Sequence, residues 1–169
     1  MDWSGQKGWR VDLVQDWCDP LHQARPLRGV CRESGIAFQA YSLLNAPGWR
    51  RKHGRNMVLT HPTILAIAAE LETSAARSAH AYPHSLSPWQ GTSLAPRSVF
   101  DRGGLRRVVM AWALAREISV LPRSTNAVHL AENLALLPNG ASEPEPLVLP
   151  EDALRRIDEL DGTEGDPYG

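Results

Sequence analysis

No apolar run in this chain approaches the roughly 20 residues that a membrane-spanning helix needs, so no bilayer span is expected. Cysteine is scarce: Cys18 and Cys31 are the two in 169 residues. Their spacing makes neither a disulfide framework nor a metal site. An excess of charge of one sign is missing too. Eighteen Lys and Arg stand against nineteen Asp and Glu, for a formal net charge of −1. Neither nucleic acid nor an anionic membrane is therefore expected as a partner. The six His show no H-E-x-x-H or other ligand spacing, which argues against a metal centre. The opening MDWSGQKGWR is polar and carries no signal-peptide core. A reduced, cytoplasmic protein is the expectation. What is present is a 43% hydrophobic chain, enough for one ordinary domain with its own core.

Strand-like and helix-like segments alternate. VDLVQ (11–15) predicts a short buried strand, and DWCDPLHQ follows as a loop. A helix is predicted over about 24–34, with Pro26 in its first turn and Leu27, Val30 and Cys31 on one face at i, i+3, i+4. Gly35 closes it. IAFQAYS (36–42) predicts a second strand, and NAPGWRRKHGRN (45–56) a basic loop. Pro62 opens a helix to about 72, with a stripe of Ile64, Ile67, Ala68 and Leu71. A further helix covers 105–116, with Leu105, Val108, Val109 and Trp112 inward. ISVLP (118–122) predicts a third strand, and the helix over about 126–136 is expected to turn Leu130, Leu134 and Leu137 inward. Pro150 starts a last helix with Leu154, Ile157 and Leu160 on its apolar side, before a frayed tail at 163–169. Residues 74–104 are rich in Ser, Ala, Pro and Gly without a sustained period and read as an irregular insertion. The order strand, helix, strand, helix, strand, helix predicts an α/β fold with parallel strands. Three strands leave an edge on each side.

Several residues at the strand ends can carry binding chemistry. In LPRSTNAVHL (121–130) a strand hands over to a helix through a cation, two hydroxyls and an amide. Helix N-termini offer unpaired N–H groups and a partial positive charge. Arg123 can hold a phosphate bidentately, and Ser124, Thr125 and Asn126 can donate further bonds. The plainer alternative is that Thr125 or Asn126 caps the helix and Arg123 is solvated. Tyr41 ends an apolar strand, where packing is the ordinary role. Gln15 closes another, and a buried amide needs partners. Cys18 has no cationic neighbour in sequence and reads as loop or core rather than a reactive thiol.

Five segments resemble the aldo/keto reductases. VDLVQDWCDP (11–20) is similar to that family's sixth strand and exit loop, and GIAFQAYSLL (35–44) to its seventh strand. HPTILAIAAEL (61–71) resembles the helix that follows, and MAWALAREISVLPRSTNAVHLAENLALL (110–137) resembles the last strand and helix. LPEDALRRIDELDG (149–162) resembles the closing helix. The matches keep the family's order and cover roughly residues 1–73 and 105–162. The resemblance implies the last three βα units of a (β/α)8 TIM barrel, an incomplete barrel over residues 1–162 interrupted at about 74–104. It also implies NADP(H) as cofactor. Arg123 and Ser124 would then grip the 2′-phosphate, with Thr125 beside them and His129, Glu132 and Asn133 near the adenosine. The family often has Arg where His129 stands, and His is a weaker, pH-dependent partner. Tyr41 would stack on the nicotinamide, Gln15 would bond its carboxamide, and Ser42, Leu43 and Leu44 would line the pyrophosphate. Trp49 would line a closing loop.

The family's first five strands have no counterpart here, and its catalytic Tyr, Lys, Asp and His go with them. Tyr82 and Tyr168 sit in irregular segments with no such partners. The sequence therefore implies part of an NADPH-dependent carbonyl/alcohol oxidoreductase that retains cofactor residues and lacks the catalytic half. A carbonyl substrate would need completion by an N-terminal half. The alternative is a non-catalytic, truncated or degenerate reductase-like chain acting as a nucleotide-binding or protein-interaction module, and self-associating through its sheet edges. A third reading makes 74–104 retained non-coding sequence.

Overall fold

Three short parallel strands carry the fold. The structure, a computed structural model, describes residues 10–44, 52–80, 102–137 and 147–164. Within them β1 (Leu13–Trp17), β2 (Ala37–Tyr41) and β3 (Ser119–Val120) pair in the order β1-β2-β3. Gln15 lies opposite Gln39, Trp17 opposite Tyr41, and Gln39 opposite Ser119. Helices α1 (Arg25–Glu33), α2 (Pro62–His80), α3 (Arg102–Ala115), α4 (Ala127–Leu134) and α5 (Glu151–Asp158) follow in chain order. The parallel α/β arrangement is as the sequence predicts.

Helix α1 returns the chain to start β2 beside β1. It stops where Gly35 adopts φ +65, a left-handed conformation that costs a glycine little. The Ile36 N–H then donates to the Cys31 carbonyl at 2.8 Å and the Gly35 N–H to the Arg32 carbonyl at 3.3 Å, which closes a Schellman motif.

Strand faces alternate, and the two faces of this sheet differ. Phe38 and Ala40 point to the buried side, where α1 packs on β2 and α3 packs on β3. The other side presents Leu13, Gln15, Trp17, Ala37, Gln39, Tyr41 and Ser119, of which Leu13 is 47% and Tyr41 42% exposed while Trp17, at the strand end, is buried. The predicted buried strand at 11–15 is thus corrected. The strand runs two residues later, Val11 and Leu13 are exposed, and an apolar run that reads as covered on both faces is covered on one. The predicted strand at 118–122 shortens to two residues.

The core lies between the sheet and the helices. Ile64, Ile67 and Ala68 of α2, Leu105, Val108, Val109 and Trp112 of α3, and Leu154, Ile157 and Leu160 around α5 are all buried, as their spacing predicts. Two other predicted stripes fail. Val30 on α1 is exposed. On α4, Leu130, Leu134 and Leu137 are all exposed, while Ala135 and Leu136 are buried. The less exposed side of α4 is instead His129, Glu132, Asn133 and Leu136, at i, i+3, i+4, i+7. That side carries a polar contact to α3, described below. The ends of the segment expected to be irregular at 74–104 are helical instead. Helix α2 continues to His80 and α3 begins at Arg102. The run SAARSAH contains good helix formers, and extending a formed helix is easier than nucleating one. Residues 81–101, the stretch 45–51 with Trp49, and the tail from 165 lie outside the described residues. Among the described residues no helix is long and apolar enough to cross a membrane.

Candidate functional site

Three loops leave the C-terminal ends of the strands, which is the end where ligands bind in α/β proteins. Each loop treats its polar residues differently.

The loop after β1 folds back on itself. Asp19 is fully buried. Its carboxylate accepts from Trp17 Nε1–H at 2.9 Å, from the Leu21 N–H at 2.8 Å and from the His22 N–H at 3.1 Å. The His22 ring stacks on Trp17 with centroids 4.0 Å apart. Burial pushes the Asp19 carboxyl up to about 6, and the three hydrogen bonds oppose that rise. Gln23, also buried, donates from Nε2 to the carbonyls of Pro20 at 3.0 Å, Ile157 at 2.9 Å and Asp158 at 3.2 Å. The Gln23 N–H donates to Asp161 Oδ1 at 2.7 Å. This loop is therefore fastened to α5 and the turn after it. Cys18 sits inside, and burial pushes its thiol up to about 12, so it is inert as the sequence suggests.

The loop after β2 begins at Ser42, a non-glycine residue at φ +55. Leu43 is buried in the core and Leu44 packs against it, so both side chains point inward. Tyr41 is half-exposed on the open face of the sheet. Gln15 is exposed on that same face of β1, directly opposite Gln39 and one pleat from Tyr41. Gln15 thus lies mid-strand and open, rather than as a buried strand end.

The loop after β3 stays out in solvent. Leu121, Pro122, Arg123 and Thr125 are all exposed. Ser124 Oγ accepts from the Asn126 N–H at 3.0 Å, and the Asn126 carbonyl accepts the Leu130 N–H at 3.1 Å, so this turn opens α4. Ser124 Oγ also lies 3.4 Å from His129 Nδ1. Arg106 of α3 donates from Nη1 to that same nitrogen at 2.9 Å. A guanidinium only donates, so His129 Nδ1 is the acceptor. Glu132 and Asn133 flank His129 on the same side of α4, half-buried.

The structure thus brings two groups together: Gln15 with Tyr41 on the open face, and Ser124 with His129 at the α4 N-terminus. Arg123 and Thr125 flank the second group. Three residues escaped sequence reasoning. Gln39 carries a period-two signal, a polar residue in the alternating AFQAY. Asp19 carries the Asp-Pro turn signal. Arg106 carries none, because its contact to His129 spans 23 positions between two helices.

No family model matches the chain, and no curated protein matches it either. Solved structures do match it in fold. A point mutant of Gox0644 in complex with NADPH is 21% identical, with a TM-score of 0.57 over 98% of this chain and 45% of that one. An aldo/keto reductase from Brucella melitensis is 18% identical, with a TM-score of 0.54 over 94% of this chain and 42% of that one. MGS-M4, an aldo-keto reductase enzyme from a Medee basin deep-sea metagenome library, is 15% identical, with a TM-score of 0.52 over 88% and 39%. The chain therefore has the fold of part of an aldo/keto reductase, and it spans less than half the length of the structures it matches.

Proposed function

We propose that this chain forms the cofactor-holding side of an NADPH-dependent aldo/keto reductase barrel. The carrying observation is the pairing of an exposed amide and a half-exposed phenol ring, Gln15 and Tyr41, on one open sheet face, with the exposed Arg123 on the next strand exit. These groups suit the dinucleotide. An exposed aromatic face suits stacking on nicotinamide, and a guanidinium at a helix N-terminus suits phosphate. When bound, NADPH supplies the hydride for a carbonyl reduction. In this reading Gln15 orients the carboxamide and Tyr41 fixes the ring. Ser42 offers a hydroxyl, and Leu43 and Leu44 their backbone, to the pyrophosphate. Arg123, Ser124 and Thr125 hold the 2′-phosphate. His129, Glu132 and Asn133 lie toward the adenosine. Arg106, fixed on His129, supplies the second cation that the imidazole alone does not. A carbonyl reduction also needs a proton donor, and these 169 residues hold no Tyr-Lys-Asp set matching the family's, so the donor belongs to an N-terminal half.

Fluorescence titration of the 169-residue chain with NADPH tests the reading. Saturable binding is expected, weakened about tenfold or more in Arg123→Ala, because a hydrogen bond to a charged group is worth roughly 1.5–3 kcal/mol. Binding indifferent to Arg123 sinks it, and carbonyl turnover by the chain alone would refute the inventory of missing acid.

The open sheet face favours a second reading, a non-catalytic module that self-associates or pairs with a complementary half through the β1 and β3 edges. Sedimentation of the purified chain separates the two readings. A monomer that binds NADPH supports the first, and a concentration-dependent oligomer that does not bind it supports the second.

A further inference from the structure

At the opposite end of the sheet from Arg123, a cleft of about 410 Å³ opens between α1, the start of β2 and the turn after α3. Its walls are basic. Arg25, Arg28 and Arg32 lie at i, i+3, i+7 and form one stripe along α1, about 10 Å long at the rise of an α-helix. Arg116 faces them from the turn after α3. Against these four guanidinium groups the lining holds two carboxylates, Asp158 and Glu117.

The four cations are not equally engaged. Arg25 pairs with Asp161 at 2.8 Å. Arg116 pairs with Asp158 at 2.6 Å and with Glu151 at 3.1 Å. Arg28 is different. Its guanidinium donates to the carbonyls of Gln23 at 3.3 Å and Arg116 at 3.0 Å. Those carbonyls fix its direction and leave its charge in place. Burial, helped by the like charges of Arg25 and Arg32, holds Arg28 below the usual arginine range, with Cys18 and the Asp158 carboxylate pulling the other way. Arg32 is exposed on the last turn of the helix.

The floor of the cleft supplies a second observation. Gly29 lies inside α1, where glycine weakens a helix relative to alanine. It lines the cleft, and a Cβ built on it would meet nothing within 4 Å. The helix thus keeps a bare backbone surface between Arg28 and Arg32, in a cleft of small-ligand size.

We propose that this cleft binds a small phosphorylated anion of the diphosphate class, with Arg28 and Arg32 as its principal contacts and Gly29 leaving room for it. Nothing in this site depends on the dinucleotide reading of the other end of the sheet. A guanidinium fork matches phosphate oxygens bidentately. Arg28 is already aimed by its two carbonyls, so little ordering is needed on binding.

The test uses inorganic pyrophosphate as probe, followed by calorimetric titration of the full chain at low salt. Inorganic phosphate and glycerol 3-phosphate run beside it, to separate diphosphate from free monophosphate and from a monoester. Saturable pyrophosphate binding is expected, weaker by about tenfold in Arg32→Ala and in Gly29→Glu, and retained in Arg123→Ala. Arg32 is exposed and Gly29 has open space, so both variants should keep the wild-type circular dichroism and melting curve. Gly29→Ala controls for the helix. Absence of saturable binding overturns the proposal. So does binding that Arg123→Ala removes and the α1 variants leave intact, because that assigns the anion to the β3 exit. Tighter binding of glycerol 3-phosphate than of pyrophosphate overturns the diphosphate assignment.

Discussion

Two loops leave the same end of the sheet and use their polar groups in opposite ways. After β1, Asp19 and Gln23 turn inward and bind their own loop and the end of α5. After β3, Arg123 and Thr125 turn outward, and a short turn at Ser124 is what shapes the segment. Both stretches are rich in groups that can bind a ligand. Position at a strand end therefore does not mark a site by itself; what matters is whether the donors and acceptors are already satisfied. A buried polar group must be paired within the protein. An exposed one remains available to something else. The β1 exit is structure, and the β3 exit is the place to look for function.

The strongest break of that contrast is Gln23→Ala. The substitution removes a buried side chain and leaves the carbonyls of Pro20, Ile157 and Asp158 without their shared donor. It should destabilise the chain by about 3 kcal/mol, from cavity and lost hydrogen bonds together. The urea midpoint should fall with an unchanged slope. A loss below about 1 kcal/mol would mean that the loop is not a structural fastening.

Next comes the pH dependence of Asp19. Its carboxyl rises from 3.8 to about 6 on folding, so the native state keeps a proton across a window where the unfolded chain has released it. The stability this group contributes is present below about pH 4 and is lost as pH rises through about 6. At roughly 1.4 kcal/mol per pKa unit the swing is on the order of 3 kcal/mol. Asp158 works the other way. Burial pushes its carboxyl up, but hydrogen bonds from Arg116 and Trp112 outweigh that and hold it below the usual carboxylate range. Its contribution is lost on acidification. Subtracting the Asp19→Asn pH–stability profile from that of the wild type cancels Asp158 and leaves the Asp19 slope. A flat difference would contradict the burial of a carboxylate at the β1 exit.

The sequence made much of this legible, for reasons that differ by element. Helices α2, α3 and α5 bury the stripes their spacing predicts, because each packs against other helices or the sheet along one face. Helix α4 does not: its histidine side faces inward, with Arg106 on His129, and Leu130 and Leu134 stay outside. That contact joins distant positions and leaves no local pattern. The apolar pattern puts β1 two residues early for a related reason. Val11 and Leu13 read as core, yet the sheet face they share is uncovered in this chain. Of the candidate site, the polar run at Arg123 and Ser124 is visible in the sequence as either a phosphate site or a helix cap, whereas Tyr41 reads first as packing and is half-exposed instead. The satisfaction of Gln23 is not visible in the sequence, since its partners lie partly in α5 and the turn after it, more than 130 positions away, whereas the partners of Asp19 all lie within or beside its own loop.

Ser124→Ala should cost less. It deletes the acceptor of the Asn126 N–H and the contact to His129. Side-chain acceptors that organise a helix start are worth about 1 kcal/mol. The loss should appear as faster amide exchange in the first turn of α4, with the β1 exit unaffected. Equal acceleration in residues 19–23 would mean that the two exits are one cooperative unit and that the contrast between them is false.

The smallest stability effect is expected at the residue that matters most for the proposed binding. Arg123 is exposed at the β3 exit. Truncating such a side chain leaves no cavity and no buried orphan, so Arg123→Ala should change stability by less than about 0.5 kcal/mol. The same change should lower NADPH affinity about tenfold or more. Gln23→Ala inverts both readouts, with a large loss of stability and NADPH affinity unchanged wherever the variant remains folded. Two substitutions at equivalent strand exits would then separate completely, one moving only stability and the other only binding. If Arg123→Ala instead unfolds the chain, the β3 exit is as structural as the β1 exit. Its basic and hydroxyl residues would then be a helix start and nothing more.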